Sequence, residues 1–259
     1  MRSGHKRAIV PVTFLVCGIW LSVCPSAVSA ADCRPENFRV LLDVGHTVDQ
    51  PGATSARGVT EHVFNLRLAK RIEERLRDGG FVRTALLVIP RGTGRRQLDA
   101  RVRAANRRPP DLVLSIHHDD VQPQFHAQWV VDGRTRDYSD RFAGWSLFVS
   151  RENRRYDASL AFAQALGAAL LAKGLPFTRH HAAPIPGEGR PVLDDARGVF
   201  GYDGLVVLKG ADAPAVLFEA GVIVNRAEEI ALAGRERQDA IAGAVLTAVQ
   251  AFCELQAGR

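Results

Sequence analysis

Val40-Leu41-Leu42-Asp43-Val44-Gly45-His46 is an apolar run that ends in a glycine and a histidine, and Leu112-Val113-Leu114-Ser115-Ile116-His117-His118 repeats the pattern further along the chain. Short apolar runs bounded by turn signals read as strands buried on both faces. Residues 38–43 and 111–116 are therefore predicted as strands, each followed by a histidine. In open α/β sheets ligands bind in the crevice beyond the carboxyl ends of the strands. Two histidines delivered there, with carboxylates near by, suggest a metal site.

Working outward, residues 47–60 form a loop rich in Gly, Pro, Ser and Thr. A helix is predicted over residues 61–78, because Phe64, Leu68, Ile72 and Leu76 recur at helical spacing before Gly79-Gly80. Residues 81–89 read as a strand, and residues 95–107 as a helix that Pro109-Pro110 ends. Strand character returns at 126–131 and 146–150. An Ala/Leu-rich helix covers 158–173, and residues 176–203 read as a long irregular segment. Strands are expected at 205–208 and 215–218. A last helix over 235–255 carries Ile241, Val245, Ala248, Val249 and Phe252 on one stripe. Strands alternating with helices predict an α/β fold: one domain with an open, mostly parallel twisted sheet and helices on both faces.

The chain has 259 residues, 46% of them hydrophobic, enough for one domain with a sizeable core. Its first thirty residues read differently. Arg2, Lys6 and Arg7 precede a largely apolar run to Val23, and Val28-Ser29-Ala30 supplies small residues for cleavage. This is the pattern of a secretory signal peptide over 1–30, with residues 31–259 as the exported domain. The apolar run is shorter than the ~20 residues that span a bilayer, so no stable membrane span is expected after cleavage. Residues 1–30 hold three basic side chains and no acidic ones, so their loss takes the formal net charge from +6 to +3. That weak basicity suits an anionic polymer such as a cell wall. No Lys/Arg stripe with interleaved aromatics is visible, so nucleic acid is not expected as a partner. Cys33 and Cys253 remain near the two ends of the exported part. An oxidising compartment and neighbouring termini predict a Cys33–Cys253 disulfide.

Four polar residues fall at strand ends or just past a strand–loop unit: His46, Glu61, His117 and Glu219. Two histidines and a glutamate are a donor set typical of a catalytic zinc, which keeps one position open. A second glutamate that does not bind the metal can serve as general base. The set is expected to hydrolyse an amide.

The same residues carry a resemblance. The chain resembles the zinc-dependent N-acetylmuramoyl-L-alanine amidases of the amidase-3 family. A first block reads Leu42-Asp43-Val44-Gly45-His46, Pro51-Gly52-Ala53, Gly58-Val59-Thr60-Glu61 and Asn65-Leu66. A second reads Arg101, Ala105-Asn106 and Leu112 to His117. A third reads Pro214-Ala215-Val216-Leu217-Phe218-Glu219, then Gly221 and Asn225. The resemblance implies that His46, Glu61 and His117 hold Zn2+ and that Glu219 is the catalytic carboxylate. It implies cleavage of the amide between N-acetylmuramic acid and L-alanine, with peptidoglycan as partner. Val44 stands where the family has proline, and His118-Asp119-Asp120 where it has a small residue and Asn. Adjacent side chains of a strand face opposite ways, so His117 and His118 cannot both reach the metal. His118, Arg101 and Asn106 are expected as supporting or substrate-facing groups.

Other readings are a zinc amidase or peptidase acting on soluble muropeptides, and a wall-binding protein that keeps the fold without chemistry. The presence of all four site residues speaks against the last. The 176–203 segment, with His180-His181, Glu188 and Asp194-Asp195, reads either as a solvated loop or as a lid or substrate wall. Signal and cysteine pair favour the periplasm of a double-membraned bacterium, and secretion would read the same. No protein partner can be named from the sequence.

Overall fold

In the computed structural model, which describes Met1 and residues 33–258, seven strands make one sheet in the order β2-β1-β3-β9-β6-β8-β7. These are β1 (Val40–Val44), β2 (Ala85–Leu87), β3 (Leu112–Asp119), β6 (Ser146–Val149), β7 (Val192–Asp194), β8 (Val199–Gly201) and β9 (Ala215–Val222). β4 (Ala127–Val131) and β5 (Arg134–Tyr138) form a separate antiparallel pair. The expected signal peptide lies outside the described residues.

β1, β2, β3 and β9 run parallel, and the sheet reverses where β6 pairs antiparallel to β9. β8 follows β6 in parallel, and the short β7 closes the edge antiparallel. The sheet is mostly parallel, as the sequence predicts, and its middle strands are apolar along both faces.

One face is covered by α1 (Glu61–Asp78), α3 (Tyr156–Ala172) and α6 (Arg235–Ala257). Phe64, Leu68, Ile72 and Leu76 of α1 meet Ile241, Val245, Val249 and Phe252 of α6 in one core with Leu42, Leu114, Ile116 and Phe218 of the sheet. Each such side chain stabilises the fold by about 1.5–3 kcal/mol on burial. By length and composition α6 could cross a membrane, yet its apolar stripe is spent on this core. The other face is covered by α2 (Gly94–Arg107) and the short α4 (Val206–Gly210), where Ala105 and Leu208 pack on Val113, Phe148, Ala215 and Leu217.

The expected disulfide is present: Cys33 and Cys253 are joined, with Cα atoms 5.3 Å apart. It ties the lead-in to β1 to the last turns of α6.

Three expectations are corrected. Of residues 205–208, Leu205 caps α4 and Val206 to Leu208 form its start, and none is in a strand. A run that short has no decisive period, and the sheet position next to β6 is filled by β8. Buried Asn153 holds α4 in place, its Nδ2 donating to the carbonyls of Leu208, Ala211 and Ala213 at 2.6, 3.1 and 3.2 Å. The irregular segment 176–203 contains β7 and β8. The strand expected over 81–89 shrinks to Ala85–Leu87, because Phe81 turns inward and caps the end of α1 through its N–H to the carbonyl of Leu76.

The helix α5 (Arg226–Ala233) was not expected at all. Asn225 caps it, its side chain accepting from the backbone N–H groups of Ala227 and Glu228 at 3.0 Å each. Asn-x-x-Glu at 225–228 is a capping signature that was legible in the sequence.

Candidate metal centre and active site

β1 and β3 lie side by side in register, so the segments leaving their carboxyl ends share one crevice. β1 ends at Val44, and Gly45 carries the chain over the end of β3, its N–H donating to the carbonyl of Ile116 at 3.0 Å. His46 follows with φ 65°, a left-handed conformation unusual for a residue with a side chain. That turn aims its ring back at β3. Glu61 is the first residue of α1, reached through the loop that leaves His46.

These three residues converge. Nε2 of His46 is 2.8 Å from one carboxylate oxygen of Glu61, and Nδ1 of His117 is 2.9 Å from the other. The two rings stand nearly edge to face, centroids 4.9 Å apart. One ligand atom from each of the three lies within 4.8 Å of the other two. Both imidazoles keep some exposure while the Glu61 side chain is 5% exposed. The crevice is shaped for this approach. A Cβ on Gly45 would stand 2.5 Å from the His117 ring. One on Gly52, itself at φ +77°, would stand 2.2 Å from the Glu61 carboxylate and 2.7 Å from the His46 ring. The site side chains occupy the space that side chains on these glycines would fill, a close approach that no local pattern announces.

Glu61 is held from behind. Its carboxylate accepts from the N–H of Ala53 and the side-chain amide of Asn65, both at 3.1 Å, and from the N–H of His118 at 3.3 Å. Burial pushes its pKa up, but hydrogen bonds and charge attraction from His117 and His46 outweigh burial and hold it far below the usual carboxylate range.

The histidine doublet divides as strand alternation requires. His117 faces the crevice. His118 faces α1, buried, with Nδ1 2.8 Å from Oδ1 of Asn65 and its ring on Phe64 at 5.4 Å. Burial drives its pKa down to about 3, so its imidazole is neutral. It supports Glu61 through its backbone and through Asn65.

Arg101 is buried at 1% exposure. Its guanidinium binds the Asp43 carboxylate and the carbonyls of Val44 and His46, and its Nε donates to Gln97 at 2.8 Å. Asp43 also accepts from Ser115 at 2.7 Å. Arg101 thus fixes the backbone on which His46 turns. Asn106 lies elsewhere: it joins the end of α2 to the turn after α4, donating to the carbonyl of Gly210 at 2.7 Å and accepting from the N–H of Asp212 at 2.9 Å.

Glu219 sits on β9 directly beside His117 in the register. On a parallel pair that places both side chains on one face. The residue is half-buried, but its Oε2 is closed to solvent and has no hydrogen-bond partner. Burial, then the negative charges of Asp119 and Glu61, push its pKa well above the ordinary value. Two hollows open on this face. One of about 140 Å³ lies between His46, His117, Arg101 and Val206, and one of about 200 Å³ is walled by Glu219, Asp119, His181 and Tyr202. A further cleft of about 460 Å³ lies beside the disulfide and touches none of these residues.

The donor set suits a transition metal: two imidazoles and a carboxylate from three separate elements, with the carboxylate orientation fixed by further hydrogen bonds. The glycine gaps that admit the rings and the unpartnered Glu219 oxygen agree with that use.

A family model described as N-acetylmuramoyl-L-alanine amidase matches residues 40–251. No curated protein matches the chain in sequence. Among solved structures, the fold is similar to an N-acetylmuramoyl-L-alanine amidase from Clostridium difficile 630, at TM-score 0.62 and 18% identity over 83% of this chain and 96% of that one. It is similar to the amidase Ami1 from Mycobacterium smegmatis at TM-score 0.62 and 22% identity, covering 84% and 97%. The amidase AmiC2 of Nostoc punctiforme gives 0.59 and 23%, covering 85% and 97%. At these identities the solved structures support the fold.

Proposed function

The chain belongs to the N-acetylmuramoyl-L-alanine amidase family, and on that premise we propose that it cleaves the amide between N-acetylmuramic acid and L-alanine in peptidoglycan, with Zn2+ held by His46, Glu61 and His117. The observation that carries this reading is the convergence of those three donors beside Glu219, which stands on the neighbouring strand with an oxygen free. A zinc ion bound there would supply Lewis acidity, polarising the scissile carbonyl and acidifying a water molecule.

The protein's own groups do the rest. Glu61 holds its charge between the two imidazoles, and Asn65 with the His118 N–H fixes its plane. Arg101 keeps His46 in its left-handed turn. Glu219 is the proton carrier. Its free oxygen accepts the proton of the attacking water and returns it to the leaving nitrogen of L-alanine, and its buried setting raises its affinity for that proton. The crevice and its two hollows leave room for substrate on the side of α4 and Tyr202.

Export supports the same reading. The expected signal peptide and the disulfide both suit an oxidising compartment, the periplasm or the space beyond the cell. The test is zymography on purified peptidoglycan with wild type, Glu219→Gln and His117→Ala. Wild type clears the substrate and both variants lose about 10²-fold or more. If Glu219→Gln, or protein stripped by a chelator, cleaves as fast as wild type, the proposed mechanism fails.

A further inference from the structure

Asp119 is the next residue after His117 on the same face of β3, with a register irregularity against β9 between them. It meets the histidine pair His180-His181, which a short 3-10 turn brings from the 176–203 segment. Nε2 of His180 is 3.1 Å and Nε2 of His181 is 2.9 Å from the same Asp119 oxygen, Oδ2. The distances are short, yet the angles are not those of hydrogen bonds. All three atoms are closed to solvent and without a hydrogen-bond partner. Asp119 and the two rings attract one another as charges, but without hydrogen-bond geometry and closed to solvent the three atoms leave bonding capacity unused, and a bound ion would take it up.

The far sides of the rings are arranged for that. Nδ1 of His181 lies 3.1 Å from Glu188, whose carboxylate also accepts from Gln122 at 2.9 Å. A carboxylate only accepts, so the proton sits on Nδ1 and Nε2 is left to face inward. Nδ1 of His180 is 2.8 Å from the Thr178 hydroxyl. Outer partners of this kind orient metal-binding histidines. The His180 and His181 side chains are 2% and 9% exposed. Tetrahedral Zn–N and Zn–O bonds of about 2.0–2.1 Å put ligand atoms ~3.3 Å apart, a few tenths of an ångström beyond the two N···O spacings at Asp119, and all three atoms lie within 4.8 Å of one another.

We propose that Asp119, His180 and His181 form a second metal site, for Zn2+, separate from the one at His46, Glu61 and His117. The donor chemistry, two imidazoles and one carboxylate, is that of a zinc site with room for a further ligand. The ion pins the 176–203 segment to the end of β3. Glu219 and Asp119 line the same hollow, so the second metal stands beside the proton carrier.

The test is metal content by mass spectrometry after zinc loading and desalting of the purified protein. Wild type is expected to hold two equivalents. His180→Asn and Asp119→Asn each lose one and keep the other. His46→Ala/His117→Ala keeps one, and the Co2+ form of that variant retains visible d–d absorption, which adding His180→Asn abolishes. Circular dichroism establishes that each variant is folded, and the isosteric Asp119→Asn gives the same readout if His180→Asn does not fold. One equivalent in wild type, lost with His46 and His117 but kept in His180→Asn and Asp119→Asn, overturns the second site. It leaves His181 as a protonated bridge between Asp119 and Glu188. Loss of metal in His180→Asn with none in His46→Ala/His117→Ala supports this site and overturns the first.

Discussion

Replacing Arg101 by methionine tests how the crevice is held. The guanidinium is buried and serves four acceptors: Gln97, Asp43 and the carbonyls of Val44 and His46. Methionine keeps much of the volume and removes all of them. Asp43 is then a buried carboxylate left with the Ser115 hydroxyl, and the carbonyls of Val44 and His46 lose this donor. Breaking one side of a buried ion pair costs about 3–5 kcal/mol, most of it the stranded charge. With a urea dependence of ~3 kcal/mol per molar, a loss of ~4 kcal/mol lowers the unfolding midpoint by about 1.3 M. The partner variant Asp43→Leu should cost as much, and Arg101→Met/Asp43→Leu should cost at least 2 kcal/mol less than the sum of the two. There is a functional arm as well. His46 sits at φ 65° with its carbonyl on Arg101, so its release should weaken metal binding by about 10–100-fold. Urea unfolding followed by circular dichroism measures the first effect, and competition with a zinc chelator the second. A midpoint shift under 0.3 M, or additive single losses, refutes the ion-pair argument. The expected ~4 kcal/mol loss of stability with unchanged metal affinity refutes the positioning of His46.

Cys33→Ser opens a disulfide that spans 220 residues, and loop entropy sets its worth at about 5 kcal/mol; a thermal scan showing under 1 kcal/mol lost would contradict that. Gly52→Ala places a methyl group against Glu61 and His46 at φ +77°, so metal affinity should fall ~10-fold or more for a stability loss of only about 1–3 kcal/mol. A variant that binds metal as wild type does would show that the crevice yields. Asn153→Ala strands the carbonyls of Leu208, Ala211 and Ala213, and about 2–3 kcal/mol should go with them in equilibrium unfolding. Hydrogen exchange should then quicken first in α4, and uniform exchange would argue that α4 is held by its apolar contacts alone.

What could be read in advance follows from local physics. The apolar runs that became β1, β3 and β9 need burial on both faces, so they had to be inner strands of a parallel sheet, and the residues after them had to meet at one end. Phe64, Leu68, Ile72 and Leu76 fixed α1 by spacing alone, and Glu61 as its first residue followed. Alternation along β3 separated His117 from His118 before any coordinates. The Cys33–Cys253 pairing needed only an oxidising compartment and the rule that domain ends lie close. Local sequence failed where competition for a place decided the outcome. Val206-Val207-Leu208 has strand composition, yet β8 occupies the sheet position and Asn153 takes the carbonyls of a helix turn. Arg101 and Asn106 look alike as polar residues of one helix. Only packing sends the first under His46 and the second to Gly210.

Sequence by itself determined the inner parallel strands, the helices that carry long apolar stripes, and the placing of His46, Glu61, His117 and Glu219 in or beside elements whose burial their own residues enforce. Tertiary structure alone decided that Gly45 and Gly52 make room for the rings, that Arg101 holds the His46 turn, and that Asp119 meets His180 and His181. Those are contacts between segments far apart in the chain. Their geometry depends on how close two backbones can come, and no local pattern of residues encodes that distance.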